Sequence, residues 1–176
     1  NNNFGQVMLA QGKVKEAIDY YDRAIRLSPG FIYLYNNRGA AYAKLGLYQK
    51  AIEDYDKAIR LNRDHFSAYY NRANAYTALG QNQMAIADYR QAIHLSPKFA
   101  NAYINLGIVQ IKLNHYQDAI ANCSQAIRLK PRDPNGYYNR GEAYLKIGRY
   151  QQAIEDFSTV VRLQPGDYEA YHLRGV

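Results

Sequence analysis

Tryptophan is absent from this sequence, cysteine occurs once and histidine four times among 176 residues. A lone Cys123 excludes an internal disulfide. Its column otherwise holds Tyr21, Tyr55, Tyr89 and Phe157, so it reads as a buried small residue rather than a reactive thiol. His65, His94, His115 and His172 have no partner at ligand spacing, and neither a metal nor a cofactor is expected. There is no phosphate-binding glycine loop, and no nucleophile stands beside a base, so the segment reads as non-catalytic. No apolar run approaches membrane-spanning length, and no membrane contact by this segment is expected. The opening NNNFGQ carries no charged or greasy leader, and the pattern described next starts and stops mid-copy. The expectation is a piece of a larger protein, whose address is not legible here.

What the sequence holds in abundance is repetition. The stretch Tyr33 to Arg63 returns at a constant step of 34, aligning Gly39, Ala73, Gly107 and Gly141, and likewise Ala51, Ala85, Ala119 and Ala153. A period in that range means a solenoid in which each unit packs on its neighbours. Within one copy, Tyr35, Gly39, Tyr42 and Leu45 recur at helical spacing, and Gly46 closes the segment. A second helix, from about Gln49 to Leu61, carries Ala51, Ile52, Tyr55, Ala58 and Ile59 on its apolar side. The short connection predicts an antiparallel hairpin in which Gly39, Ala51 and Ala58 let the helices approach closely.

Tyr35, Gly39, Tyr42, Ala51, Tyr55 and Ala58, with proline closing sister copies, resemble the tetratricopeptide repeat family. The resemblance covers nearly the whole chain and implies an all-α, right-handed superhelical solenoid of antiparallel helix pairs. One array is expected over 1–176, with copies at 1–31 (partial), 32–65, 66–99, 100–133, 134–167 and a stub at 168–176. Arg63, Gln110, Asn114, Cys123 and Val160 depart from the pattern, most of them in the fourth copy. Pro29, Pro97, Pro131, Pro134 and Pro165 mark the breaks and are read as ending the second helices.

The chain carries a formal charge of +7. Arg26, Arg60, Arg128 and Arg162, with His94, fall in the last turn of each second helix, where they complement the helix dipole without needing a ligand. Arg38, Arg72 and Arg140 are each followed sixteen residues later by Asp54, Asp88 and Asp156, and where the base is missing the acid is missing too: Leu106 goes with Asn122, Phe4 with Tyr20. An Arg–Asp pair inside each of those three hairpins is predicted. With arginine engaged in this way, no nucleic-acid surface is expected.

The resemblance implies that first helices line the inner face of the solenoid. Asparagine recurs there at Asn3, Asn37, Asn71, Asn105 and Asn139, although it is a mediocre helix former. Its amide offers the donors and acceptor of a peptide group, so a ladder of such amides would hold an extended segment of another protein without reading its sequence. The column resembles that of the repeat superhelix in the O-linked N-acetylglucosamine transferases, where it has that role. Asn74 stands beside it. Ile104, Ile108 and Ile111, flanked by Tyr70 and Tyr138, are expected to form an exposed apolar spot that adds specificity. Lys44, Lys112 and Lys146 favour an acidic partner. Asn74 and Asn105 match the asparagines with which chaperone adaptors of the family clamp a terminal carboxylate. The matching basic positions hold Tyr70, Asn135 and Asn139, so dedicated terminal capture is not expected. The alternative to peptide binding is head-to-tail self-association through uncapped helices at 1–10 and 168–176.

Overall fold

The computed structural model describes residues 2–166 and 168–175, the side chains of Asn2 and Asn3 excepted. Asn1, the Asn3 amide, the copy boundary at Asp167 and the terminal Val176 therefore lie outside the described residues. The helices are α1 (Asn2–Ala10), α2 (Val14–Leu27), α3 (Ile32–Lys44), α4 (Tyr48–Leu61), α5 (Phe66–Ala78) and α6 (Asn82–Leu95). They continue as α7 (Ala100–Lys112), α8 (Tyr116–Leu129), α9 (Pro134–Lys146), α10 (Tyr150–Leu163) and α11 (Tyr168–Arg174), and no strand occurs among the described residues. The chain divides into two compact units, Asn1–Leu95 and Ser96–Val176.

The turns inside the hairpins are closed by backbone geometry. After α3, Gly46 takes φ 74°, its N–H donates to Ala43 O, and the Leu47 N–H reaches back to Tyr42 O. That pair of bonds satisfies the last carbonyls of the helix and needs a left-handed residue. Asn114 holds the same conformation at φ 63°, with Asn114 N–H on Ile111 O and His115 N–H on Gln110 O. The missing glycine of the fourth copy thus costs little, because asparagine tolerates that region. Between hairpins, Tyr35, Tyr103 and Tyr137 donate their hydroxyls to the carbonyls of Pro29, Pro97 and Pro131. Pro134 corrects the reading of proline as a stop: α8 has already ended at Leu129, and Pro134 opens α9, with Asp133 accepting from Asn135 N–H. Proline suits that position because the N–H it lacks would have no helical partner.

In the first unit α3 packs on α4 and α5 on α6; α3 also meets α2, and α5 meets α4. First helices touch one another as well, α3 lying against both α1 and α5. The second unit repeats this with α7 on α8, α9 on α8 and α10, and α7 against α9. The hairpin cores are thin and tight. A Cβ at Gly39 would stand 2.7 Å from the Tyr55 ring, and one at Gly107 would stand 2.7 Å from Cys123 Sγ. Cys123 is fully buried, and that burial pushes its thiol up to about 12, the opposite of a reactive cysteine.

The expected ion pairs are present, and each is larger than expected. Arg38, Arg72 and Arg140 present Nε and Nη2 as a fork to Asp54, Asp88 and Asp156, with Nε–Oδ2 distances of 2.8, 2.7 and 2.8 Å. The remaining Nη1 reaches the second helix of the preceding hairpin, donating to Asp22, Asp56 and Ser124 respectively. Tyrosines three residues before and four after lie within 5.8 Å of each guanidinium: Tyr35 and Tyr42, Tyr69 and Tyr76, Tyr137 and Tyr144. Hydrogen bonds donated to the partner carboxylates hold the Arg38 guanidinium above its ordinary range, while burial pushes the Asp54 and Asp88 carboxyls upward against the pull of their arginines. The acid is therefore tolerable only with its base in place. In the fourth copy the site is rebuilt without charge: Leu106 is buried, and Asn122 Nδ2 donates to the buried Gln110 Oε1 at 2.8 Å.

Arg72→Leu strands the Asp88 carboxylate and is expected to lower the unfolding free energy by about 3 kcal/mol in a denaturant titration. Adding Asp88→Asn and Tyr76→Gln, the fourth copy's own combination, recovers most of that loss; no recovery would mean that the clamp stabilises by shape and not by pairing. His65 makes stability depend on pH. Its Nε2 is buried without a partner, its ring meets Tyr33 edge-on at 5.3 Å, and burial lowers its pKa below the ordinary 6.5. The fold thus holds neutral His65, so its contribution is intact above about pH 6.5 and is lost as acid charges the ring. Melting temperatures measured between neutral and mildly acid pH should fall less for His65→Phe, whose residue type already stands at Phe31 and Phe99, than for the wild type.

Candidate functional site

In the first unit the neighbouring first helices α3 and α5 offer one face. From α3 it carries Asn36, Asn37, Ala40, Ala43 and Lys44, and from α5 it carries Tyr70, Asn71, Asn74 and Ala78. The amides are linked: Asn71 Nδ2 donates to Asn36 Oδ1 at 3.1 Å across the two helices, and Asn36 Nδ2 lies 3.5 Å from Asn37 Oδ1. Asn74 Oδ1 accepts from the Tyr89 hydroxyl at 2.6 Å, and Thr77 Oγ1 stands 3.3 Å from the same hydroxyl. Part of the amide capacity on this face is thus engaged in holding helices together. Asn37, Asn71 and Asn74 nevertheless remain partly open to solvent.

Between α3 and α5 the face sinks into a hollow of about 400 Å³, walled by Ala40, Ala43, Ala75 and Ala78 and reached by Asn71 and Asn74. Tyr48 and Tyr55 of α4 complete it, and Lys44 stands exposed at its edge. Tyr55 belongs to the packing column, and nothing in its sequence position marks it as part of a site. A larger hollow of about 600 Å³ lies where α2 meets the start of α3, among Tyr20, Ala24, Leu27, Phe31 and Leu34, with Arg23 beside them. One copy later the equivalent space, between Ala58 and Ala68, is filled by the Tyr35 ring. The first copy's residue at that position is Asn1, outside the described residues.

In the second unit Asn105 and Tyr138 are half-buried on α7 and α9, and Lys112 and Lys146 are exposed. Asn139 is nine-tenths buried, and its Nδ2 donates to Asn135 O within α9 at 2.7 Å. The exposed triad of isoleucines is corrected by the structure. Ile104 and Ile111 are buried at 7% and 8% exposure, and only Ile108 is partly open. Ile111 packs with Ala119 and Ala143: the small Ala143 on α9 leaves a space that a branched side chain fills. At the two ends of the chain, Phe4 and Val7 on α1 and Tyr168 and Tyr171 on α11 are exposed.

The clamps change the electrostatics of what remains. Of 22 lysines and arginines and 15 aspartates and glutamates, they engage three cations and the five anions Asp22, Asp54, Asp56, Asp88 and Asp156. The rest of the sequence holds nineteen cations against ten anions, a more basic surface than the net charge of +7 suggests. Among the described residues no three His, Cys, Asp or Glu side chains gather as metal ligands, and no helix is long and apolar enough to cross a membrane.

Family models described as tetratricopeptide repeat match residues 32–65, 54–87 and 104–168, and one described as TPR repeat matches 5–46 and 73–114. No curated protein matches the chain significantly. Among solved structures, MamA 41-end from Desulfovibrio magneticus RS-1 is 25% identical with a TM-score of 0.85, the match covering 94% of each chain. YrrB, described as a TPR protein with an unusual peptide-binding site, is 20% identical with a TM-score of 0.82, covering 99% of this chain and 90% of its own. A thermophilic TPR protein from Thermus thermophilus is 22% identical with a TM-score of 0.75, covering 98% of this chain and 94% of its own.

Proposed function

This chain belongs to the tetratricopeptide repeat family, whose helix pairs are scaffolds for protein interaction, and from that premise we propose that its first-helix face takes an extended segment of a partner protein. The observation that carries the reading is the open face of the first unit, where the partly exposed amides of Asn37, Asn71 and Asn74 border a hollow that the protein's own side chains leave unfilled. An amide of this kind pairs with a peptide group through both its donor and its acceptor, which is how a side chain holds backbone regardless of sequence. The link from Asn71 to Asn36 fits this role, since an amide already fixed at one donor loses less freedom when its remaining groups bind. Tyr70 adds a half-buried ring beside the amides, and Lys44 adds positive charge. In the second unit Asn105, Ile108, Tyr138, Lys112 and Lys146 offer a comparable set, with the Asn139 amide holding its own helix. The scaffold contributes binding and no chemistry of its own.

The test is a short capped-peptide library screened for binding to the wild type and to Asn37→Ala with Asn71→Ala. Each lost amide pair is expected to weaken binding about fivefold, equivalent to about 1 kcal/mol. The melting temperature of each variant checks that the fold is kept. Peptides bound equally well by the double variant would remove the amides from the mechanism.

A further inference from the structure

The second and third hairpins are built to one pattern, and they differ at the base of the hollow. In the third, the Tyr89 hydroxyl is bonded to Asn74 Oδ1 at 2.6 Å and lies 3.3 Å from Thr77 Oγ1. In the second, the residues one period earlier are Tyr55, Ala40 and Ala43: the hydroxyl is retained and both of its partners have become methyl groups. Tyr55 is 1% exposed, lines the hollow, and its hydroxyl has no hydrogen-bond partner among the described residues. Packing against Gly39 accounts for the ring, while the hydroxyl borders the hollow, so an acceptor on whatever fills that space takes the place that Asn74 Oδ1 holds one hairpin on.

We propose that this hollow is a selectivity pocket for a glutamate side chain of the bound segment, whose carboxylate accepts from the Tyr55 hydroxyl beside the Lys44 ammonium. The inference rests on the peptide-binding reading and adds the side chain that is chosen. The walls are alanine methyls, Ala40 and Ala43 facing Ala75 and Ala78, which suit a short aliphatic stem and give it nothing polar to bond. Beside the Asn71 and Asn74 amides, the polar groups at the hollow that neither clamp nor core engages can donate: the hydroxyls of Tyr55 and Tyr48, and the Lys44 ammonium, which makes no ion pair among the described residues. A carboxylate accepts from both kinds, whereas a basic side chain would meet Lys44 and a purely apolar one would leave the Tyr55 hydroxyl unpaired. The excess of nineteen cations over ten anions outside the clamps favours the approach of an acidic segment in the same sense.

The experiment compares short N-acetylated, C-amidated peptides from the library selected on the wild-type chain. The probe pairs differ only by Glu against Gln at each position, so a terminal carboxylate plays no part. The wild type is expected to prefer Glu at one position by about fivefold. Tyr55→Phe removes the hydroxyl, and Ala40→Asn restores the internal partner that Asn74 provides one hairpin on; each should erase that preference while the remaining positions keep theirs. Ala40→Asn stands in should Tyr55→Phe fail to fold, and thermal melts report which variants are intact. A Glu preference that survives in a folded Tyr55→Phe or Ala40→Asn protein overturns the pocket, as does equal binding of Glu and Gln by the wild type, and both leave the groove standing. A wild type that selects no peptide at all removes the groove and the pocket together.

Discussion

Arg38, Arg72 and Arg140 each tie three helices at one point, and the placement of every other side chain on the first-helix face depends on those ties. A globule resists the sliding of one helix from many sides, whereas a stack resists it only through two neighbours. Apolar contacts between alanine-rich faces give closeness but weak register, because one methyl replaces another after a small slide. The guanidinium is directional. Its fork accepts one orientation of the Asp54, Asp88 or Asp156 carboxylate, and its third corner accepts one position of the preceding hairpin. Tyrosine rings on either side restrict water at the pair, so the arrangement is stiff as well as specific.

The fourth copy shows what part of this is dispensable. Leu106, Gln110 and Asn122 replace arginine, tyrosine and aspartate together, and the result is a closed, neutral contact with an amide–amide bond at its edge. The matched change argues for replacement of one solution by another rather than decay. It agrees with the general finding that a buried ion pair gives way to a well-packed neutral set without loss, provided no member is left behind. Cys123 belongs to the same rebuilding: it stands where other copies place a ring, and its sulfur sits against the bare face of Gly107.

The repeat, its helices and the pairing of Arg38 with Asp54 can be read from the sequence because each involves residues that change together within one copy. The second arm of the clamp cannot. Asp22 and Asp56 look like ordinary acids on an outer helix, and their role depends on how one hairpin lies on the next, which a pattern inside the hairpin does not state. The expected exposure of the α7 isoleucines fails for a related reason. Ile104, Ile108 and Ile111 share one side of a helix, but the exposure of Ile111 is settled by the volume at Ala143 on α9. The asparagine column is legible as a pattern, yet the partner of each amide is not: Asn71 bridges to Asn36, while Asn139 turns back on its own helix.

Repetition itself supplies the control by which a site can be told from a structural column. A position that recurs because packing demands it treats every partner alike, and the amides of Asn37 and Asn71 can do no more than hold a main chain. Selectivity has to come from a position that changes while the ring and the clamp around it are kept. Ala40 and Ala43 are such positions. The tyrosine beneath them and the clamp beside them are retained, while the residue facing the ring changes from Gly39 to Ala73, and the exchange of Asn and Thr for methyl groups takes away both internal partners of the hydroxyl. It converts a hydroxyl with internal partners, as at Tyr89, into one whose partner must come from outside.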